Sequence, residues 1–129
     1  MRNFHDEMTE GARILIVDDD PAVLDVLLGL CRIKGYEPVC AGNALDALRL
    51  LGKDEPYLLI IVDFLMPEMH GVDFIREVRI KRPNIPIIAM SAWPAVQKSF
   101  MTAGANLFMS KPFDLHLLAH EIETIVSSA

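Results

Sequence analysis

At 129 residues the chain has a single-domain length, and a domain of that size buries roughly two-thirds of its unfolded surface without needing disulfides. With 52% apolar and 23% charged residues it has the composition of a compact globule, which excludes a disordered chain. A net charge of −6 argues against non-specific binding to nucleic-acid phosphates and for a soluble cytoplasmic protein.

The opening MRNFHDEMTEG is polar and unpatterned, so residues 1–11 read as a flexible leader and residues 12–129 as one domain. No apolar run approaches the ~20 residues of a membrane span, and no charged-then-apolar signal pattern opens the chain. RILIV at 13–17 then predicts a strand. Pro21 to Lys34 carries Val23, Leu27, Leu30 and Cys31 along one helical stripe that Gly35 stops. YEPVCA predicts a second strand, and Ala44 to Leu51 a helix with Leu45, Leu48 and Leu51 inward. LLIIV is the third strand. Val72 to Lys81 is a helix with Val72, Ile75, Val78 and Arg79 on one face, ended by Pro83. PIIAM, a weak helix at Pro94 to Ala103, and NLFM follow. Asp114 caps a last helix with Leu115, Leu118, Ile122 and Ile125 inward. Cys31 and Cys40 fall inside these elements and read as small buried hydrophobes, not a disulfide.

Strands such as LLIIV are apolar on both faces, which belongs to a parallel sheet covered by helices on each side. With right-handed crossovers the fold class is α/β, a doubly wound five-stranded parallel sheet. In such sheets ligands sit beyond the carboxyl ends of the strands, so the residues ending each strand are the ones to read.

Those ends carry Asp18, Asp19 and Asp20, then Asp63, then Ser91, then Lys111 before Pro112. Asp20 before Pro21 is an ordinary helix N-cap. Converging carboxylates do not all stay ionised without a cation, and an all-oxygen donor set selects a hard ion, Mg²⁺ being the common choice. A flavin or dinucleotide phosphate is disfavoured, because three acids after the first strand would repel it. A lysine and a hydroxyl beside metal-bound carboxylates describe a site for an aspartyl phosphate.

ILIVDDD, IIVDFLMPEMHG, IIAMSA and AGANLFMSKPF, spanning Ile14 to Phe113, together resemble the receiver domain of two-component response regulators. The resemblance implies a flavodoxin-like fold of strand order 2-1-3-4-5 and a phosphorylation-operated switch. It makes Asp63 the phosphoacceptor, taking its phosphoryl group from a histidine kinase or phosphotransfer protein. Asp19 becomes a direct Mg²⁺ ligand, Asp18 a ligand acting mainly through water, and the Leu65 backbone carbonyl a third protein contribution. Ser91 and Lys111 would each bond a phosphoryl oxygen, and the Lys111–Pro112 bond would be cis. Phe108 falls at the rotating aromatic position, so Ser91 and Phe108 form the switch. A downstream target or a further output domain would read the face made by the fourth helix, fifth strand and fifth helix. Direct nucleic-acid or membrane binding by this domain is not implied.

Three positions depart from the family's habit. His70 stands where an acid is common and reads as neutral to the chemistry; Leu65 and Trp93 are apolar at two variable positions that tune rates. His116 and His120 have metal-pair spacing but no third ligand, so a solvated face is the expectation. Two rival functions fit the same residues less well. A haloacid-dehalogenase-type phosphatase needs a second acid two residues after its nucleophile, where this chain has Leu65. A degenerate receiver, acting as an unphosphorylated binding module, usually lacks an acid or the lysine, and this chain keeps both. Turnover of a substrate is not expected; a stand-alone receiver and a module of a longer regulator or hybrid kinase both stay open.

Overall fold

The structure is a computed structural model and describes residues 11–63 and 70–128. Its strands are β1 (Arg13–Val17), β2 (Glu37–Ala41), β3 (Leu59–Asp63), β4 (Ile87–Ser91) and β5 (Leu107–Ser110). Its helices are α1 (Pro21–Ile33), α2 (Ala44–Leu51), α3 (Gly71–Lys81), α4 (Gln97–Ala103) and α5 (Leu115–Ser127). All strands are parallel, in the order β2-β1-β3-β4-β5. This is the flavodoxin-like α/β fold that the strand pattern and the resemblance imply.

The two-residue period of the strands divides the core in two. Leu15, Val17, Ile60, Val62, Ile87 and Ala89 point to one face, where they meet Ala44 and Ala47 of α2, Phe74, Ile75 and Val78 of α3, and Phe100 of α4. Ile14, Ile16, Leu59, Ile61, Ile88 and Met90 point to the other, against Leu27 and Cys31 of α1 and Leu118, Ile122 and Val126 of α5. Each fully buried valine, leucine, isoleucine, phenylalanine or methionine among them contributes about 1.5–3 kcal/mol. β3 and β4 are buried along their whole length, which explains their unbroken apolar runs.

Several helical faces differ from the expected stripes. In α2 the buried residues are Ala44, Ala47 and Leu51, while Leu45 is exposed. In α5 they are Leu118, Ile122 and Val126, while Leu115 at the first position is exposed. In α3 the buried face is carried by Phe74, Ile75 and Val78, with Arg79 engaged in polar contacts instead. In a two- or three-turn helix, neighbouring apolar rows satisfy the i, i+3 spacing equally, and the packing against the sheet decides between them. The fourth helix is also split: Pro94–Val96 is a 3₁₀ turn, and the α-helix begins at Gln97.

Cys31 and Cys40 are free, and burial pushes the Cys31 thiol up to about 11, so it stays protonated at neutral pH. Gly11 donates its N–H to Gly35 O at 2.8 Å, which ties the chain down just before β1. Residues 1–10 of the expected leader lie outside the described residues. No described helix is long and apolar enough to cross a membrane.

Candidate functional site

The carboxyl ends of β1 and β3 lie side by side, Val17 pairing with Val62, so the residues that follow converge. Asp18 is fully buried immediately after β1, and Asp63, the last residue of β3, is nearly so. Asp19 is exposed. One carboxylate oxygen from each of Asp18, Asp19 and Asp63 lies within 4.8 Å of the others. Asp20 stands apart from this group: its Oδ1 accepts from Ala22 N at 2.9 Å and caps α1. The third acid of the run therefore has a structural role, as its place before a proline suggests.

Lys111 follows β5 and crosses to the acids. Its Nζ donates to Asp63 Oδ2 at 2.7 Å and to Asp18 Oδ2 at 3.3 Å. The backbone N–H of Lys111 donates to Ser91 O at 2.8 Å, which fixes the end of β5 against the end of β4. The Lys111–Pro112 bond is cis. Burial alone would lower the Lys111 ammonium, but the bonds and charges of Asp63 and Asp18 outweigh it and hold the pKa above its usual value.

Asp18 goes the opposite way. Burial pushes its carboxyl up to about 6, helped by the charge of Asp63 and opposed by the Asp20 N–H and by Lys111. One ammonium thus leaves this buried acid short of positive charge. Oxygen-only donors, clustered and under-compensated, suit a hard divalent cation such as Mg²⁺. Asp18, Asp19 and Asp63 would be its side-chain ligands. Leu65, the expected backbone ligand, lies outside the described residues.

Ser91 ends β4 and is buried, its Oγ accepting from Trp93 N at 3.0 Å. Trp93 itself is half-exposed. Phe108 pairs with Ala89 across β4 and β5, is partly buried, and packs on Phe100 with ring centroids 6.0 Å apart. His70 is an exposed residue preceding α3 and makes no side-chain cap bond. His116 and His120 are both exposed on α5, and the acidic triad is the group of potential ligands found among the described residues.

What sequence reasoning missed is Arg79. Its Nε and Nη2 donate to Gly104 O at 3.0 and 2.7 Å, its Nη1 to Ile85 O at 2.6 Å, and its Nη2 to Asn106 Oδ1 at 3.0 Å. Asn106 Oδ1 also accepts from Ile87 N at 2.8 Å. Gly104 has φ +127°, and a Cβ there would stand 2.8 Å from Arg79 Cγ. The signal was present as a glycine ending a helix, but nothing in the spacing pointed that glycine at an arginine 25 residues earlier.

Comparison with known proteins agrees with this geometry. Residues 14–123 match the family model described as response regulator receiver domain. The DNA-binding transcriptional regulator NtrC of a Bradyrhizobium strain is 38% identical over 122 residues, covering 90% of this chain and 24% of its own length. The response regulator MprA of Mycobacterium leprae is 32% identical, with 88% of this chain and 50% of its own length covered. The chain therefore spans between about a quarter and a half of these curated relatives. Among solved structures it is similar to a CheY-like receiver domain protein from Methanospirillum hungatei (TM-score 0.84, 28% identity, 91% of this chain and 94% of that one). It is equally similar to the signal receiver domain of a histidine kinase from Syntrophus aciditrophicus (TM-score 0.84, 30% identity, 92% of each chain). With the fold, the strand-end acids and the match over residues 14–123 in agreement, the chain belongs to the response regulator receiver domain family.

Proposed function

We propose that this domain is a phosphorylation-operated switch whose acceptor is Asp63. The observation that carries the reading is the Lys111 ammonium 2.7 Å from Asp63 Oδ2, inside the cluster that Asp63 forms with Asp18 and Asp19. An ionised Asp63 oxygen attacks the phosphorus of a donor phosphohistidine in line. The P–N bond breaks as the P–O bond forms, and the leaving imidazole nitrogen takes a proton from solvent. Asp19 and Asp63 directly, Asp18 mainly through water, and the backbone carbonyl of Leu65 would hold Mg²⁺, which would offset the negative charge gathered on the transferring group. Lys111, bonded to Asp63 Oδ2 at 2.7 Å, would turn to a phosphoryl oxygen, and Ser91 Oγ would bond another.

A bonded Ser91 would leave space behind it for the Phe108 ring, shifting the population between two states of the surface formed by α4, β5 and α5. That surface, with Met101, Leu115 and Leu117 exposed, is the one a downstream protein or output domain would read. The donor is a histidine kinase or phosphotransfer protein, and the setting is the cytoplasm. Leu65, which has no hydrogen-bonding side chain, and Trp93, whose indole N–H can donate but cannot accept the attacking water's proton, would slow the loss of the phosphoryl group. Faster decay in the Leu65→Asn, Trp93→Glu double variant is the expected sign.

Incubation with acetyl phosphate and Mg²⁺ separates this reading from its rivals. A persistent acyl phosphate on the protein is expected. No acyl phosphate would mark an unphosphorylated binding module; many turnovers of the donor per protein would mark a phosphatase.

A further inference from the structure

The opposite pole of the sheet holds a second concavity. Tyr57 and Leu58 lead into β3, and Pro83 to Pro86 lead into β4, so the pocket lies at the amino edge of the strands, away from Asp63. Its volume is about 540 Å³, within the roughly 300–1,000 Å³ usual for small-molecule sites. Tyr57, Leu58, Ile85, Pro86 and Ile125 give it an apolar lining, and among the described lining residues Arg82 is the charged one.

Arg82 is held in place before any ligand arrives. Its Nη2 donates to Leu51 O at 2.9 Å and Lys53 O at 3.1 Å, and its guanidinium carbon lies 5.6 Å from the centre of the Tyr57 ring. Arg13 also lies over that ring, 4.7 Å from its centre, but Arg13 is paired with Glu55 at 2.8 Å. Arg82 has no carboxylate partner among the described residues, and its Nε and Nη1 hydrogens have no acceptor there. Arg82 is thus an anchored cation with spare donors at the wall of an apolar pocket.

We infer that this pocket binds a small monoanionic carboxylate with an apolar or aromatic body. One guanidinium balances one carboxylate, whereas a phosphate dianion in an apolar site would be left with uncompensated charge. Leu58, Pro86 and the isoleucines take the body of the ligand. Pre-anchoring of Arg82 removes the ordering cost that a free arginine would add.

Titration of the labelled chain with benzoate, followed by NMR, tests this, with acetate and benzyl alcohol as controls that keep only the charge or only the ring. Saturable shifts at Tyr57, Arg82, Ile85 and Ile125 are expected with benzoate, and about tenfold weaker responses with each control. Arg82→Gln should weaken benzoate about tenfold or more, and Arg82→Lys less, because charge is kept. Both variants should still label on Asp63 with acetyl phosphate, which verifies their fold. Linear, unsaturated shifts, an acetate response equal to that of benzoate, or undiminished binding by a folded Arg82→Gln would each overturn the site. Its failure would leave the role of Asp63 untouched.

Discussion

Among the described residues, charge is withdrawn from water partly at Arg79 and fully at Asp18, and the two are treated in different ways. Between α3 and the turn after α4, Arg79 meets the carbonyls of Gly104 and Ile85 and the amide of Asn106, all neutral acceptors fixed by the backbone. Burial lowers its pKa from the usual value, yet its donors are satisfied and the region needs nothing further. At the carboxyl edge, Asp18 and Asp63 share a single ammonium, and Asp18 is pushed up to about 6. A buried charge with its bonds made is architecture. A buried charge still short of its partner is a site that a ligand completes.

The largest effect that would sharpen the contrast is loss of the arginine. Arg79→Met keeps the apolar stem and removes the donors, leaving the Gly104 and Ile85 carbonyls and Asn106 Oδ1 short of them. We expect a loss of about 3 kcal/mol, read by denaturant unfolding, with acetyl phosphate labelling of the folded fraction retained. A change below about 0.5 kcal/mol would mean that water replaces the guanidinium and that Arg79 is no clamp.

Asp18 should behave in the reverse sense. Its folded pKa lies above its unfolded value, so the unfolded chain releases this proton first. The metal-free domain therefore loses stability from this group as pH rises from about 4 to about 6, and does not regain it at neutral pH. Asp18→Asn should remove that slope and stabilise the metal-free protein at pH 7 by up to about 2 kcal/mol, while weakening Mg²⁺. In the wild type, Mg²⁺ binding should weaken as pH falls through about 6, since protons compete for the same carboxylate. A metal-free Asp18→Asn domain less stable than the wild type at pH 7 would break the comparison.

The smallest effect should come from Asp20. Its carboxylate accepts from Ala22 N in capping α1, a role asparagine also fills. Asp20→Asn should change stability by less than about 0.5 kcal/mol and leave Mg²⁺ titration unaltered, whereas Asp19→Asn should weaken the metal at least about tenfold. Equal losses in the two variants would show that the acids of the run are not divided between cap and metal.

How far the sequence carried these assignments follows from the same physics. Strands buried on both faces, such as Leu59–Asp63 and Ile87–Ser91, write their state as continuous apolar runs, and the residues at their ends follow by position. That is why Asp18, Asp63, Ser91 and Lys111 were legible one by one, and why an acid followed by a proline was separable as a cap. Helical faces were less so: Leu45 and Leu115 satisfy an apolar spacing and yet face out, because the sheet selects the neighbouring row. The spacing puts Arg79 on an apolar stripe, since a side chain whose partners are distant carbonyl oxygens of Gly104, Ile85 and Asn106 leaves no periodic trace. Arg82 and Tyr57 come together only through the packing of the loops before β3 and β4.

The central claim is that the under-compensated cluster exists to receive a phosphoryl group on one acid, and peptide mapping after acetyl phosphate treatment tests it most directly. With Mg²⁺ present, wild-type protein should carry a hydroxylamine-sensitive label on Asp63 alone, and Asp63→Asn should carry none. Removal of Mg²⁺ should suppress the wild-type label. Undiminished labelling of Asp63→Asn, or a label mapping to Asp18, Asp19 or Asp20, would contradict the account.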